Sequence, residues 1–173
     1  MIYLELLNES DFPQIVDWVN QEPEDFIIQW AGLTYTCPLT TEQMKLHYSN
    51  GINTPESEVY IYRIMDENRF IGTIQLRFGE TREATIGRFL IGNAIDSGKG
   101  IGQTVLRQLV RLGFTEFKLD RLKLNVFEFN QQAIKCYENI GFQKTLFREK
   151  LYKDSQGVWW NNYEMTLEKA EYS

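Results

Sequence analysis

The sequence predicts an α+β fold: a mixed, mostly antiparallel central sheet flanked by helices, in the order β-α-α-β-β-β-α-β-α-β-β. Three observations predict it. Short β-rich runs separated by polar turns fill the middle of the chain, apolar residues recur at helical spacing on either side, and a glycine cluster joins one strand to the longest helical segment. The 173 residues read as a single domain, 1–173. With 43% hydrophobic and 24% charged residues, the composition supports one core and excludes collagen-like and intrinsically disordered chains.

Each element has its own signal. Ile2–Leu7 reads as a first strand. Ser10 and Asp11 offer capping oxygens before Pro13, and Ile15, Val16, Trp18 and Val19 supply the periodic apolar set of a first helix. The aromatic-rich segment 21–38, with Phe26, Trp30 and Tyr35 around Gly32, is a loop or a broken helix. Thr40 followed by Gln43 is a capping-box pattern opening a short helix through about Ser49. Ser57–Met65 and Phe70–Phe78 form a hairpin across the polar turn Asp66–Arg69, and Ala84–Gly92 adds a third run. A helix carrying Ile101, Val105, Leu109 and Leu112 ends near Lys118. Leu122, Leu124 and Val126 alternate with Lys123, Asn125 and Phe127 as a strand, and a helix over 130–140 stops at Gly141. Phe142–Tyr152 and Val158–Leu167 are the last two strands, about a turn at Asp154–Gly157.

The net charge of −6 and a pI of about 4.9 argue against a protein that neutralises nucleic-acid phosphates, and are compatible with a cationic substrate. One histidine, His47, and two cysteines, Cys37 and Cys136, cannot build a Cys/His zinc site, so no metal is expected. No run has the length of a membrane span and no basic-then-apolar leader is visible, so the expectation is a cytoplasmic protein with reduced thiols and no membrane or nucleic-acid partner.

The chemistry concentrates in Ser97-Gly98-Lys99-Gly100-Ile101-Gly102, where three glycines fall within five positions. A glycine-rich turn opening a helix presents backbone N–H groups at the positive end of the helix dipole, which suits a pyrophosphate. The alternative is a tight strand-to-helix connection that needs positive φ. The P-loop pattern fails, since five residues separate Gly92 from Gly98 where four are required and Lys99 precedes Gly100. The dinucleotide fingerprint also fails, because Gly98 and Gly100 would require a glycine where Gln103 stands.

The loop and a second pattern, Asn130, Ala133, Tyr137, Gly141 and Phe142, together resemble the GNAT superfamily of acyl-CoA-dependent N-acetyltransferases. That family shows [QR]-x-x-G-x-[GA] and then N-x-x-A-x-x-x-Y-x-x-x-G-F, in this order. The loop-and-tyrosine segment is most similar to the branch of spermidine and ribosomal-protein N-terminal acetyltransferases. The resemblance implies acetyl-CoA as cosubstrate. Backbone groups of Leu90, Ile91 and Gly92 would bind the pantetheine arm. Amides of Ser97, Gly98, Lys99, Gly100, Ile101, Gly102 and Gln103 would hold the pyrophosphate, and Asn130 and Ala133 would lie along the cofactor. Tyr137 would protonate the departing thiolate while an amine attacks the acetyl carbonyl directly in a ternary complex. Ser97 departs from the Gln or Arg of the pattern, and Lys99 can compensate electrostatically.

For the proton of the attacking amine, some relatives carry an acid where this chain has Asn125. Glu83, Glu128 and His47 are the remaining candidates, each with a plain structural reading as well. Trp30, Tyr35, Trp159 and Trp160 could line an acceptor pocket or pack in the core. The expected acceptor is a small-molecule amine or a peptide N-terminus, and a homodimer stays open. The competing reading, favoured by Ser97 and Asn125, is a non-catalytic acyl-CoA-binding or interaction module on the same fold.

Overall fold

The computed structural model describes residues 1–172. Its strands are β1 (Ile2–Leu6), β2 (Val59–Asp66), β3 (Arg69–Phe78), β4 (Glu83–Ile91), β5 (Arg121–Phe127), β6 (Gln143–Lys153) and β7 (Trp159–Glu168). Its helices are α1 (Phe12–Asn20), α2 (Phe26–Ala31), α3 (Thr41–Tyr48), α4 (Ile101–Thr115) and α5 (Gln131–Ile140). The strands follow the order β1-β2-β3-β4-β5-β7-β6, with β4 and β5 parallel and the pairs β1–β2, β2–β3, β5–β7 and β6–β7 antiparallel. This is the mixed, mostly antiparallel α+β sheet that the sequence predicts. The additional helix, α2, occupies the segment left between loop and broken helix. It is a single six-residue piece ended by Gly32 at φ +58, too short for its periodicity to stand out.

The chain divides into two compact units, Met1–Arg77 with Gly87–Ile101, and 78–86 with the chain from Gly102 onward. In the first, the amphipathic face of α1 buries Phe12, Ile15, Trp18 and Val19 with Ile27 and Trp30 of α2, Met44 of α3 and Ile61 of β2. The entry to α1 is set one turn earlier than the sequence suggests. Asn8 accepts from the Ser10 N–H while Asp11 accepts from the Asn8 N–H, a reciprocal box over a short 3₁₀ turn. Thr40 caps α3 through the Gln43 N–H, as expected. The Gln43 side chain, however, turns away from Thr40 to bond the backbone of Thr36 and Pro38, fixing the preceding loop.

Two glycines permit close approach in this unit. A Cβ on Gly72 would lie 2.0 Å from the Leu90 carbonyl oxygen, and one on Gly92 would lie 2.0 Å from the Trp18 ring. Neither position has room for a methyl group. In the second unit, Val105, Leu106, Leu109, Val110 and Phe114 form the buried face of α4, and Leu122, Leu124 and Val126 the buried face of β5. β6 is the edge strand: nine of its eleven residues are exposed and its pairing with β7 shifts register twice.

Because Trp18 sits flat against Gly92, the substitution Gly92→Ala forces the ring or the strand to move. Overpacking of this kind costs about 1–3 kcal/mol. The expected outcome is a lowered denaturation midpoint in urea with an unchanged m-value; a midpoint equal to the wild type would contradict the packing.

Candidate active site

In the first unit, the second half of β4 lies beside β3 and then feeds the glycine loop. The Gly92 N–H donates to the Ile71 carbonyl and the Leu90 carbonyl faces Gly72, so both positions are turned toward β3. Strand alternation then directs the backbone groups of Ile91 to the opposite edge. β4 pairs with β5 only from Glu83↔Arg121 to Ile86↔Leu124, so that edge has no partner strand at Ile91. Of the three β4 positions expected to offer backbone groups, Ile91 is the one so oriented.

The loop that follows is exposed from Ser97 to Gly100, and it is anchored from below. Asp96, 2% exposed, closes a 3₁₀ turn over Ala94–Asp96 and accepts from Arg69 at 3.0 Å. Gly98 and Gly100 have φ of +75° and +74°, and no atom lies within 4 Å of where a Cβ would project. These glycines are therefore required for backbone conformation and leave the backbone bare on the open side. α4 begins at Ile101, its first N–H groups lacking intrahelical partners as at any helix start. A bare, positive-φ backbone running into a fifteen-residue helix fits a pyrophosphate. Lys99 is exposed beside it and can add charge.

Arg88, which the sequence reading passed over, organises the rest of this unit. It sits in β4 at φ +47, where the strand is locally kinked, and its guanidinium donates to Tyr35 Oη at 3.1 Å and Thr34 Oγ1 at 2.7 Å. The same group lies 5.0 Å from the Tyr35 ring centroid and 6.0 Å from that of Trp30. The two rings that could have lined a cationic acceptor pocket are buried, and their cation is Arg88. Because Arg88 can only donate, the phenol proton of Tyr35 is left for His47 Nδ1, 2.8 Å away. Burial, and secondly the Arg88 charge, hold the His47 imidazole down at about 4.

In the second unit, α5 presents Tyr137 between Ile134 and Ile140, three residues from each, so all three share the buried face. Its ring meets Phe142 edge-on at 6.2 Å. The phenol makes no hydrogen bond among the described residues, and burial, followed by Cys136, raises it well above the ordinary tyrosine range. It therefore holds its proton at neutral pH. Asn130 caps the helix, its side chain accepting from the Ala133 N–H at 3.3 Å. This capping accounts for the Asn–x–x–Ala spacing by itself.

The proton-acceptor candidates separate clearly. Glu83 is held by Lys123 at 3.2 Å and Arg121 at 3.6 Å, and Asn125 accepts from Arg148. Among the described residues Glu128 has no ion pair; its carboxylate accepts from the Asn161 amide at 3.4 Å, and its backbone carbonyl accepts from Gln131 Nε2 at 2.6 Å. It lines an open pocket of about 600 Å³ with Trp159 and Trp160, the other two aromatic candidates. Among the described residues no three His, Cys, Asp or Glu side chains gather to hold a metal, and no helix is long and apolar enough to cross a membrane.

A sheet with one parallel β4–β5 pair, a glycine loop opening α4, and a tyrosine on α5 define an acetyltransferase of the GNAT type. Residues 2–143 match the acetyltransferase (GNAT) domain, and the chain belongs to that family of N-acetyltransferases, which use acetyl-CoA. An aminoglycoside N(6')-acetyltransferase type 1 from Klebsiella pneumoniae is 29% identical over 154 residues, covering 83% of this chain and 74% of that protein. The acetyltransferase PseH of Campylobacter jejuni is 27% identical over 136 residues, 79% of each chain. A solved spermidine N-acetyltransferase from Vibrio cholerae, in complex with CoA and spermine, shares the fold. Its TM-score is 0.83 at 18% identity, over 99% of this chain and 97% of that one.

The His47 network has a pH signature. The unfolded chain takes up the imidazole proton near 6.5 and the folded chain only near 4, so stability is retained above that window and lost as pH falls through it. In His47→Gln the acid arm of a stability–pH profile, followed by urea denaturation, should flatten across this interval. An unchanged slope would place the histidine outside the network.

Proposed function

We propose that this chain transfers the acetyl group of acetyl-CoA to a primary amine, on a small cationic molecule or a protein N-terminus, by direct attack in a ternary complex. Tyr137 is the general acid. One observation supports the reading: the Tyr137 phenol, on the α5 face shared with Ile134 and Ile140, has no hydrogen-bond partner in the protein among the described residues and is left to donate to a ligand. Such a group is built to give up its proton to a developing negative charge.

Acetyl-CoA supplies the thioester. The chain's own part is to bind and orient it. The loop amides from Gly98 to Gln103, freed of side chains at Gly98, Gly100 and Gly102, hold the diphosphate, and the outward backbone groups of Ile91 add a strand-like contact. Ser97 takes the place of the family's Gln or Arg, and because its own N–H is engaged by the Ala94 carbonyl, the diphosphate falls to the amides that follow it. Tyr137 donates its proton to the departing sulfur as the amine nitrogen bonds to the acetyl carbon, and the proton that the nitrogen then sheds returns to the phenolate through solvent.

Two variants test the assignment separately. Tyr137→Phe should lose at least about a hundredfold in kcat, the usual scale for a general acid, with an unchanged melting temperature. Wild-type turnover would remove the tyrosine from the chemistry. Gly98→Ala forces a side chain into the left-handed region at about 1–2 kcal/mol, and should raise the KM for acetyl-CoA roughly tenfold with kcat retained. A thiol-release assay at varied acetyl-CoA reads both.

A further inference from the structure

We propose that the aromatic pocket at the tip of the β6–β7 hairpin binds an organic ammonium group, and that its physiological occupant is the remote cation of the acceptor whose other amine is acetylated. The second half rests on the acetyl-transfer reading above; the first does not.

The pocket is built from rings whose positions are fixed before any ligand arrives. Phe127 and Phe129 stack with centroids 5.7 Å apart and planes only 4° from parallel. Trp160 meets each of them edge-on at 4.9 Å and Tyr152 at 5.1 Å. The Trp160 indole N–H donates to Asp154 Oδ2 at 3.1 Å, while Asp154 Oδ1 accepts from the Gln156 and Val158 N–H groups of the turn. The hairpin tip and the indole are thus locked by one carboxylate. Against this frame Phe129 and Trp159 remain about half exposed, 51% and 48%, facing the pocket with Val158.

The chemistry of the lining selects the occupant. Aromatic faces carry negative quadrupole potential and attract cations. Lys153 Nζ already stands 5.7 Å from the Trp159 ring centroid, an internal instance of that contact. Glu128 adds a full negative charge at the pocket wall. Unlike the Glu83 carboxylate, which Lys123 and Arg121 hold, that of Glu128 has no ion pair among the described residues. A neutral apolar ligand would cover that carboxylate without compensating it, and an anion would be repelled. An alkylammonium satisfies both the rings and the charge.

The pocket also stands in a useful place. Gln131 lines it and is the first residue of α5, six residues before Tyr137. At 1.5 Å per residue that is about 9 Å along the helix axis. A molecule with two amines separated by several bonds can keep one in the pocket while presenting the other toward the phenol, which names linear diamines, polyamines and amino sugars as the acceptor class.

The test uses the full chain and two probes of the same shape, choline and 3,3-dimethylbutan-1-ol, which differ only in the charge. Calorimetry should show choline binding at least about fivefold more tightly than the alcohol, and Trp159→Ala or Glu128→Gln should each remove most of that preference. Equal affinity for the two probes, or a preference that survives both substitutions, overturns the cation site. In a thiol-release assay 1,4-diaminobutane should outperform butylamine through KM, and both variants should abolish that KM advantage. A diamine KM unmoved by the variants overturns the link to the acceptor. If no amine releases thiol while choline binding follows the pattern above, the acetyl-transfer reading fails and the ammonium site stands.

Discussion

The first unit depends on the near-contact of β4 with what lies beside it. At Gly72 the neighbouring Leu90 carbonyl occupies the place of a side chain, and at Gly92 the Trp18 ring does. With no methyl groups to keep them apart, β4 docks on β3 with Leu90 and Gly92 turned inward. The intervening Ile91 must then turn its backbone outward, and the chain leaves the sheet at a defined angle into the loop that Asp96 and Arg69 secure. The kink at Arg88 belongs to the same strand. It carries a guanidinium over Tyr35 and Trp30 and ties the α2–α3 connection to β4. Loop, strand edge and aromatic layer are consequences of one tightly packed strand.

The second unit encloses a phenol. Tyr137 shares the buried face of α5 with Ile134 and Ile140, and Gly141 at φ +121 ends the helix so that Phe142 can fold back against the ring. Desolvation does the rest by disfavouring the phenolate. The helix is capped at one end by Asn130 and stopped at the other by Gly141. The conserved-looking spacing between them is thus as much a recipe for a ten-residue helix as for a catalytic group.

Much of this was legible in the sequence. Period-two and helical patterns placed every strand and four helices within a few residues, and the loop and the Asn–Ala–Tyr–Gly–Phe spacing led to the family that the chain matches over residues 2–143. What escaped were interactions between residues far apart in sequence. Arg88 meets Tyr35 across more than fifty positions, so nothing local marked the aromatic faces as occupied. Glu83 is committed to Lys123 forty residues away. The rings of Phe127 and Phe129 meet Trp160 because β5 pairs with β7, a register that no periodicity reveals. Asn8 was missed for a smaller reason: its box spans a 3₁₀ turn ahead of the helix, so the cap lies outside the window in which a helix start is sought.

The exposed edge strand β6 sets the terms on which this protein can change. It leads to the hairpin tip that carries Asp154 and, through β7, Trp159 and Trp160, yet its own side chains bury little. Substitutions on such a strand are nearly neutral for stability, usually within about 0.5 kcal/mol. The strand that leads to the aromatic pocket can therefore vary at little thermodynamic cost. Substitutions can accumulate along β6 without eroding the fold, an economical arrangement in a family whose members include aminoglycoside and spermidine acetyltransferases.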